Sequence, residues 1–218
     1  MRLTGLSHLN KPASRLCIDA SAIINLNASA CAPDILRALP ERLVVVDVVV
    51  SELEEGRRTG RQDAQMLAAL LQAKLIDTDG LNEPDDKLFE ALVSGSAAMT
   101  LDDGEAATIA YAVGRSLPIV LDDQKARRIC QERFARLSVR DSVDFFRHAD
   151  VQRALGQERL ATAVFNALKT ARMRVLAEHT SWVTTLIGEA NARVCRSLPQ
   201  RHRAPELAPT STGIGEAT

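Results

Sequence analysis

A chain of 218 residues can enclose one well-buried domain and is marginal for two. Apolar residues make up 46% but aromatics only 3%, so Ala, Leu and Val must fill the core, which favours helices packed on strands over an aromatic-rich β-sandwich. The net charge of -1 excludes a global field for a polyanion partner, so any nucleic-acid contact must come from local patches.

Residues 1–14 form an N-terminal segment without the apolar stretch of a secretion signal. The first predicted strand is RLCID (15–19), a short apolar run without alternation, as in a buried parallel strand; Ser21 is positioned to cap the helix AIINL that follows. Pro33 opens a helix through DILRAL. In RLVVVDVVV (42–50) six Val and one Leu flank Asp47, which predicts a central strand with a structural Asp in its middle. Ser51-x-x-Glu54 has the capping-box pattern of a helix start. The loop GRRTGR (56–61) leads to a helix through DAQMLAALLQA, a strand KLIDTD and a helix over 84–93. Thr100-Leu-Asp-Asp103 opens a helix that stops at Gly114, with Asp102 and Asp103 as caps. SLPIVLDD (116–123) is a second buried strand, QKARRICQERF a helix, LSVRD an edge strand and SVDFFRHA a closing helix. Alternating strands and helices predict a three-layer α/β domain over 15–150 with a mainly parallel central sheet.

Residues 151–195 form a helical extension whose apolar stripe includes Val164, Leu168, Val175 and Leu176, and 196–218 has the polar, Pro- and Gly-rich composition of a disordered tail. Residues 1–150 carry 18 Lys and Arg against 23 Asp and Glu, whereas 151–218 carry 9 against 5, so an acidic domain precedes a basic extension. Cys17, Cys31, Cys130 and Cys195 lie far apart with no CxxC pair, which argues against zinc and for a reducing, cytoplasmic location. No apolar run approaches the roughly 20 residues of a membrane span.

The chemistry lies in where the acids fall. Asp19 ends the first strand, Glu52 follows the second, Glu105 stands in the first turn of a later helix, and Asp122 and Asp123 end another strand. Ligand sites of open parallel sheets form at the carboxyl ends of strands, so these acids converge on one edge. Like charges held together need a counter-ion, and Mg²⁺ or Mn²⁺ takes carboxylate oxygens, activates water and stabilises the leaving oxygen of a phosphodiester. Asp122 and Asp123 are equal candidates for the last position. Glu54 and Glu55 are expected to be solvated.

RLCIDASAIINL, VVVSELEEG, DDGEAATIAYA and IVLDDQKARRI, in this order and at these intervals, together resemble the PIN-domain nucleases over roughly residues 15–147. The resemblance implies a PIN-like α/β/α fold and a Mg²⁺- or Mn²⁺-dependent endoribonuclease, with Asp19, Glu52, Glu105 and Asp122 or Asp123 as catalytic metal ligands. It also implies an RNA substrate cut to 5′-phosphate products, and often the role of toxin in a toxin–antitoxin pair, with an antitoxin protein as partner. Val120 and Leu121 stand where many PIN toxins have Thr or Ser, which places the chain nearer a Leu-Asp-Asp subgroup. Compact toxins also end near the start of the 151–195 extension.

Arg57, Arg58 and Arg61 are placed to hold RNA phosphates near the acids, since Arg pairs bidentately with phosphate. Arg127 and Arg128 suit pairing with the last acids or with Glu132 as well as RNA. Trp182 and the stripe over 160–187 are expected to cover apolar surface on the domain or on a second subunit of a homodimer. His8, His148, His179 and His202 are scattered, and none is assigned as a general base. The main alternative is a non-catalytic PIN-fold module that docks a protein partner through the C-terminal helices. A haloacid-dehalogenase-type phosphatase would need Asp-x-Asp where the chain has Asp19-Ala20-Ser21, a receiver domain an acidic pair at that first strand end, and a dinucleotide-binding domain GxGxxG there.

Overall fold

The computed structural model describes residues 14–199 except 59 and 98. The N-terminal segment read as lacking a secretion signal, most of the tail read as disordered, His8 and His202 lie outside the described residues. Five strands form one wholly parallel sheet: β1 (Arg15–Ile18), β2 (Arg42–Val46), β3 (Ile76–Asp79), β4 (Ile119–Val120) and β5 (Val139–Arg140), in the order β3-β2-β1-β4-β5. β1 is central, with Cys17 in register with Val44 of β2 on one side and Ile119 of β4 on the other. Leu16, Cys17 and Ile18 are all buried, which is why this strand carries an unbroken apolar run instead of an alternating one. Helices α1 (Ala20–Ala28), α2 (Ala32–Ala38), α3 (Asp47–Arg57), α4 (Asp63–Gln72), α5 (Glu83–Val93), α6 (Asp103–Arg115), α7 (Gln124–Arg133) and α8 (Val143–Arg147) connect and cover the strands, giving three layers.

The order of the strands fixes where a site can form. The chain adds β2 and β3 outward on one side of β1, then returns to add β4 and β5 on the other. The order reverses between β1 and β4, and the region beyond the carboxyl ends of such strands is where open α/β sheets bind ligands.

Several local expectations are corrected. Asp47 is not inside a strand: β2 stops at Val46, and Asp47 is the exposed first residue of α3, its Oδ1 accepting the Val48 N–H at 2.8 Å. Valine propensity favours a strand, but β3 pairs only with Leu43 to Val46, and a helix from Asp47 buries Val49 and Leu53 one turn apart. Ser51 therefore caps nothing and lies inside α3, which moves Glu52 to the second helical turn. Asp19, not Ser21, caps α1. Of the strand expected over 116–123 only Ile119 and Val120 are in strand register, flanked by the Pro118 carbonyl that accepts from Cys17 and the Leu121 N–H that donates to the Arg140 carbonyl; Ser116 ends α6 in the left-handed region (φ 53°) and Pro118 has no N–H to donate. α6 continues through Gly114, where any Cβ would lie 2.2 Å from Asp85 Oδ1; the glycine admits the Asp85 carboxylate that pairs with Arg115.

The C-terminal residues form α9 (Ala149–Asn166), a π-helical turn over Ala167–Ala171, a 3-10 turn over Ala177–His179, α10 (Thr180–Ile187) and α11 (Glu189–Arg193). α9 bends at Gly156, whose φ of 70° a side chain rarely adopts, and packs on α2 and α8, while the π-helical turn rests on α1. Leu160, Ala163, Val164, Ala167 and Leu168 are buried in the same cluster as Leu26 and Ile35, and half-buried Trp182 packs against it. All four cysteines are free, and burial pushes the Cys17 and Cys130 thiols up to about 12, so they behave as small apolar groups. No helix among the described residues is long and apolar enough to cross a membrane. Because Leu168 is fully buried between the π-helical turn and the domain core, Leu168→Ala should cost about 2–5 kcal/mol of global stability. Urea unfolding should show it as a lower midpoint of one transition; a separate early transition of the C-terminal helices would contradict the shared core.

Candidate metal centre

Acids, some of them helix caps, stand at the carboxyl ends of β1 and β4 and at the start of α6. Asp19 directly follows β1 and is 3% exposed; its Oδ1 accepts the Ala22 N–H at 2.8 Å and its Oδ2 accepts the Ser21 hydroxyl at 2.7 Å. Asp122 follows β4 and is 6% exposed. Its Oδ1 accepts the Ser142 N–H at 2.8 Å, and its Oδ2 accepts the Asn25 amide at 2.7 Å and the Ser142 hydroxyl. Burial raises both carboxyls above the usual range, and the charge of Asp122 raises Asp19 further.

Glu105 lies in the first turn of α6, half-buried, with its carboxyl pushed up to about 8 by burial first and then by Asp102, Asp123 and Asp19. Glu52 is an exposed residue, but its Oε2 would be only 2.1 Å from a Cβ built on Gly104, so its carboxylate end lies against the start of α6. Partial burial, then Asp102 and Asp103, raises it, while Arg61 opposes. Asp19 thus feels Asp122, Glu105 feels Asp19, and Asp102 acts on Asp19, Glu52 and Glu105, which ties Glu52 to the group through Asp102.

The two adjacent acids at the end of β4 differ in position. Asp123 is exposed and caps α7, its Oδ1 accepting the N–H groups of Lys125 at 2.7 Å and Ala126 at 2.9 Å, whereas Asp122 is the buried one facing Asp19. Asp102 caps α6 through the Glu105 N–H at 2.9 Å, as expected, yet its charge also acts on Asp19, Glu52 and Glu105. Sequence reasoning missed Asn25 and Ser142. A buried Asn in the apolar helix AIINL is a usable signal, because such an amide needs a partner; nothing local marks Ser142.

The arginines are placed less uniformly. Arg57, Arg58 and Arg61 are exposed, Arg57 pairing with Glu54 at 3.3 Å and Arg61 lying within electrostatic reach of Glu52. Arg127 pairs with no acid at the site: it donates to the carbonyls of Leu121 at 2.9 Å and Arg140 at 2.7 Å, tying the end of β4 to β5. A separate group, Asp141, Asp144 and His179, has potential ligand atoms within 4.8 Å of one another.

A family model described as a PIN domain matches residues 15–189. The chain belongs to the PIN-domain family. No curated protein matches it. The matched segment runs through the C-terminal helices as far as the start of α11, and PIN domains are generally metal-dependent nucleases. The donor set suits a hard divalent cation: oxygen ligands only, crowded carboxylates whose protons are held tightly, and a glycine where a side chain would displace Glu52.

Two outcomes follow from this geometry. Glu105 titrates near 4.5 when unperturbed and at about 8 in the folded metal-free protein, so between those values the folded state holds a proton the unfolded chain has released. The stability linked to it is present below the unfolded value and lost as pH rises through the folded one. The Tm of chelated protein should therefore fall from about pH 5 to about pH 8.5, and added Mg²⁺ should raise Tm more at the upper end; calorimetry showing the opposite slope would refute the assignment. Gly104→Ala overlaps only the carboxylate end of the flexible Glu52 side chain and touches Val49 at an ordinary 3.6 Å, so Tm should change by little while Mn²⁺ affinity, measured by calorimetric titration, falls about tenfold.

Proposed function

We propose that the protein is a Mg²⁺- or Mn²⁺-dependent endoribonuclease that hydrolyses RNA phosphodiester bonds, with the metal held by Asp19, Glu105 and Asp122 and approached by Glu52. The observation that carries this reading is the pair Asp19 and Asp122, both buried at the switch between β1 and β4 and each destabilised as a free carboxylate. The chemistry supplied by one or two bound ions is activation of a water and stabilisation of charge on the phosphodiester. The chain does the rest. Asn25 and Ser142 hold the Asp122 carboxylate in one orientation, and the Asp19 and Asp102 caps pin the starts of α1 and α6 around it. Asp123 serves the site through its charge on Glu105 and its cap of α7. Arg61, beside Glu52, and Arg57 and Arg58 at the end of α3 would receive RNA phosphates; the exposed Arg57–Glu54 pair is weak enough for a phosphate to replace.

A toxin role with an antitoxin partner extends the same reading on the strength of the resemblance, and a cytoplasmic location on four free thiols; the apolar stripe that suggested a homodimer packs on the chain's own core. Asp19→Asn should lower Mn²⁺-dependent cleavage of structured RNA by more than about 100-fold, beyond the loss typical of an outer-sphere partner. Arg58→Ala with Arg61→Ala should raise KM about tenfold with kcat little changed. Undiminished cleavage by Asp19→Asn would overturn this assignment of the site, and a wild type that neither binds Mn²⁺ nor cleaves RNA would leave the non-catalytic scaffold as the better account.

A further inference from the structure

The group that orients Asp122 is itself held from the C-terminal helices. Ser142 sits in the turn between β5 and α8, fully buried, giving its N–H and hydroxyl to Asp122. That turn is fixed by Asp141, whose Oδ1 accepts the Val143 N–H at 2.9 Å and whose Oδ2 lies 3.0 Å from Nε2 of His179. His179 ends the 3-10 turn before α10, 38 residues downstream, and is 4% exposed against 3% for Asp141.

The tautomer follows from the partners. Arg147 Nη1 lies 2.9 Å from His179 Nδ1, and a guanidinium only donates, so the hydrogen-bond network assigns Nδ1 as acceptor and places the ring proton on Nε2, directed at Asp141. Asp144 and Glu178 stand 3.8 and 3.9 Å from the same Nε2, and Asp141, Asp144 and His179 together have the composition of a metal site. A metal would need the Nε2 lone pair, and the Arg147 contact leaves a proton there. The group is a hydrogen-bonded tie between α8, the β5 turn and the C-terminal helices.

We propose that His179 is a positioning residue of the nuclease site: through Asp141 it fixes the Ser142 turn, and through Ser142 it sets the orientation of Asp122. The C-terminal helices thereby complete the site. The catalytic consequence rests on the nuclease reading above; the positioning itself does not.

The test compares the full chain with His179→Gln, whose amide can still donate to Asp141 while its oxygen accepts from Arg147, and with His179→Phe, which keeps the volume and loses both bonds. Amide exchange at Ser142 by NMR, Mn²⁺ affinity by electron paramagnetic resonance and RNA cleavage are read on each. In His179→Phe the Ser142 amide should exchange about tenfold faster, Mn²⁺ should bind about 10–100-fold more weakly and kcat should fall in parallel, with His179→Gln restoring all three to within a few fold. In the wild type, the imidazole nitrogen shifts should be those of the Nε2–H tautomer, a measurement that stands even if His179→Phe does not fold. An unchanged Ser142 amide in His179→Phe, failure of His179→Gln to restore it, an Nδ1–H tautomer, or a second metal equivalent abolished by Asp144→Asn would each overturn the proposal. If the wild type neither binds Mn²⁺ nor cleaves RNA while Ser142 still responds to His179→Phe and recovers in His179→Gln, the nuclease reading fails and the positioning stands.

Discussion

Asp19 and Asp122 sit at the carboxyl ends of neighbouring parallel strands, both buried, and neither can ionise there without opposing the other. The surrounding structure can be understood as the means of tolerating that crowding. Three helices, α1, α6 and α7, begin at Asp19, Asp102 and Asp123, so their N-terminal N–H groups and the positive ends of their dipoles face the acids. Uncharged donors from Asn25 and Ser142 take up Asp122. These dipoles and hydrogen bonds offset the repulsion only partly, since Asp19, Glu52, Glu105 and Asp122 all remain shifted toward the protonated form. A divalent cation is the natural remaining partner.

Capping and site-building use the same side chains. Asp19, directly after β1, and Asp102, at the end of the loop before α6, each accept an open N–H of the helix they start while their charge acts within the acid group. Asp19 and Asp102 therefore cannot be classed as either caps or site residues. Asp123 differs because its one oxygen is committed to two N–H groups and the residue is exposed, leaving the buried position to Asp122.

The C-terminal helices belong to this arrangement physically. They share the apolar core of α1 and α2, and their His179 reaches the turn that carries Ser142. An extension read only for its basic charge and apolar stripe would pass for an add-on. The hydrogen bonds run instead from the far end of the chain toward β4, through Asp141 and Ser142 to Asp122.

What the sequence determined by itself was the set of short-range relations. Apolar runs that stop at an acid marked β1 and the end of β4, Asp102 announced the start of α6, and alternating strands and helices required a parallel, layered sheet. These were legible because strand burial, capping and crossover handedness act over a few residues or follow general rules. Tertiary structure alone decided the rest. The six valines around Asp47 read as one strand, but the length of β3 and the core contact of Val49 and Leu53 turned the second half into a helix. Asp122 and Asp123 are adjacent and chemically identical, and only the proximity of Asp19, Asn25 and Ser142 separates them. His179 stood alone in the sequence because its partner Asp141 lies 38 residues away, and hydrogen-bond partners at that distance are brought together by packing, which no local pattern encodes.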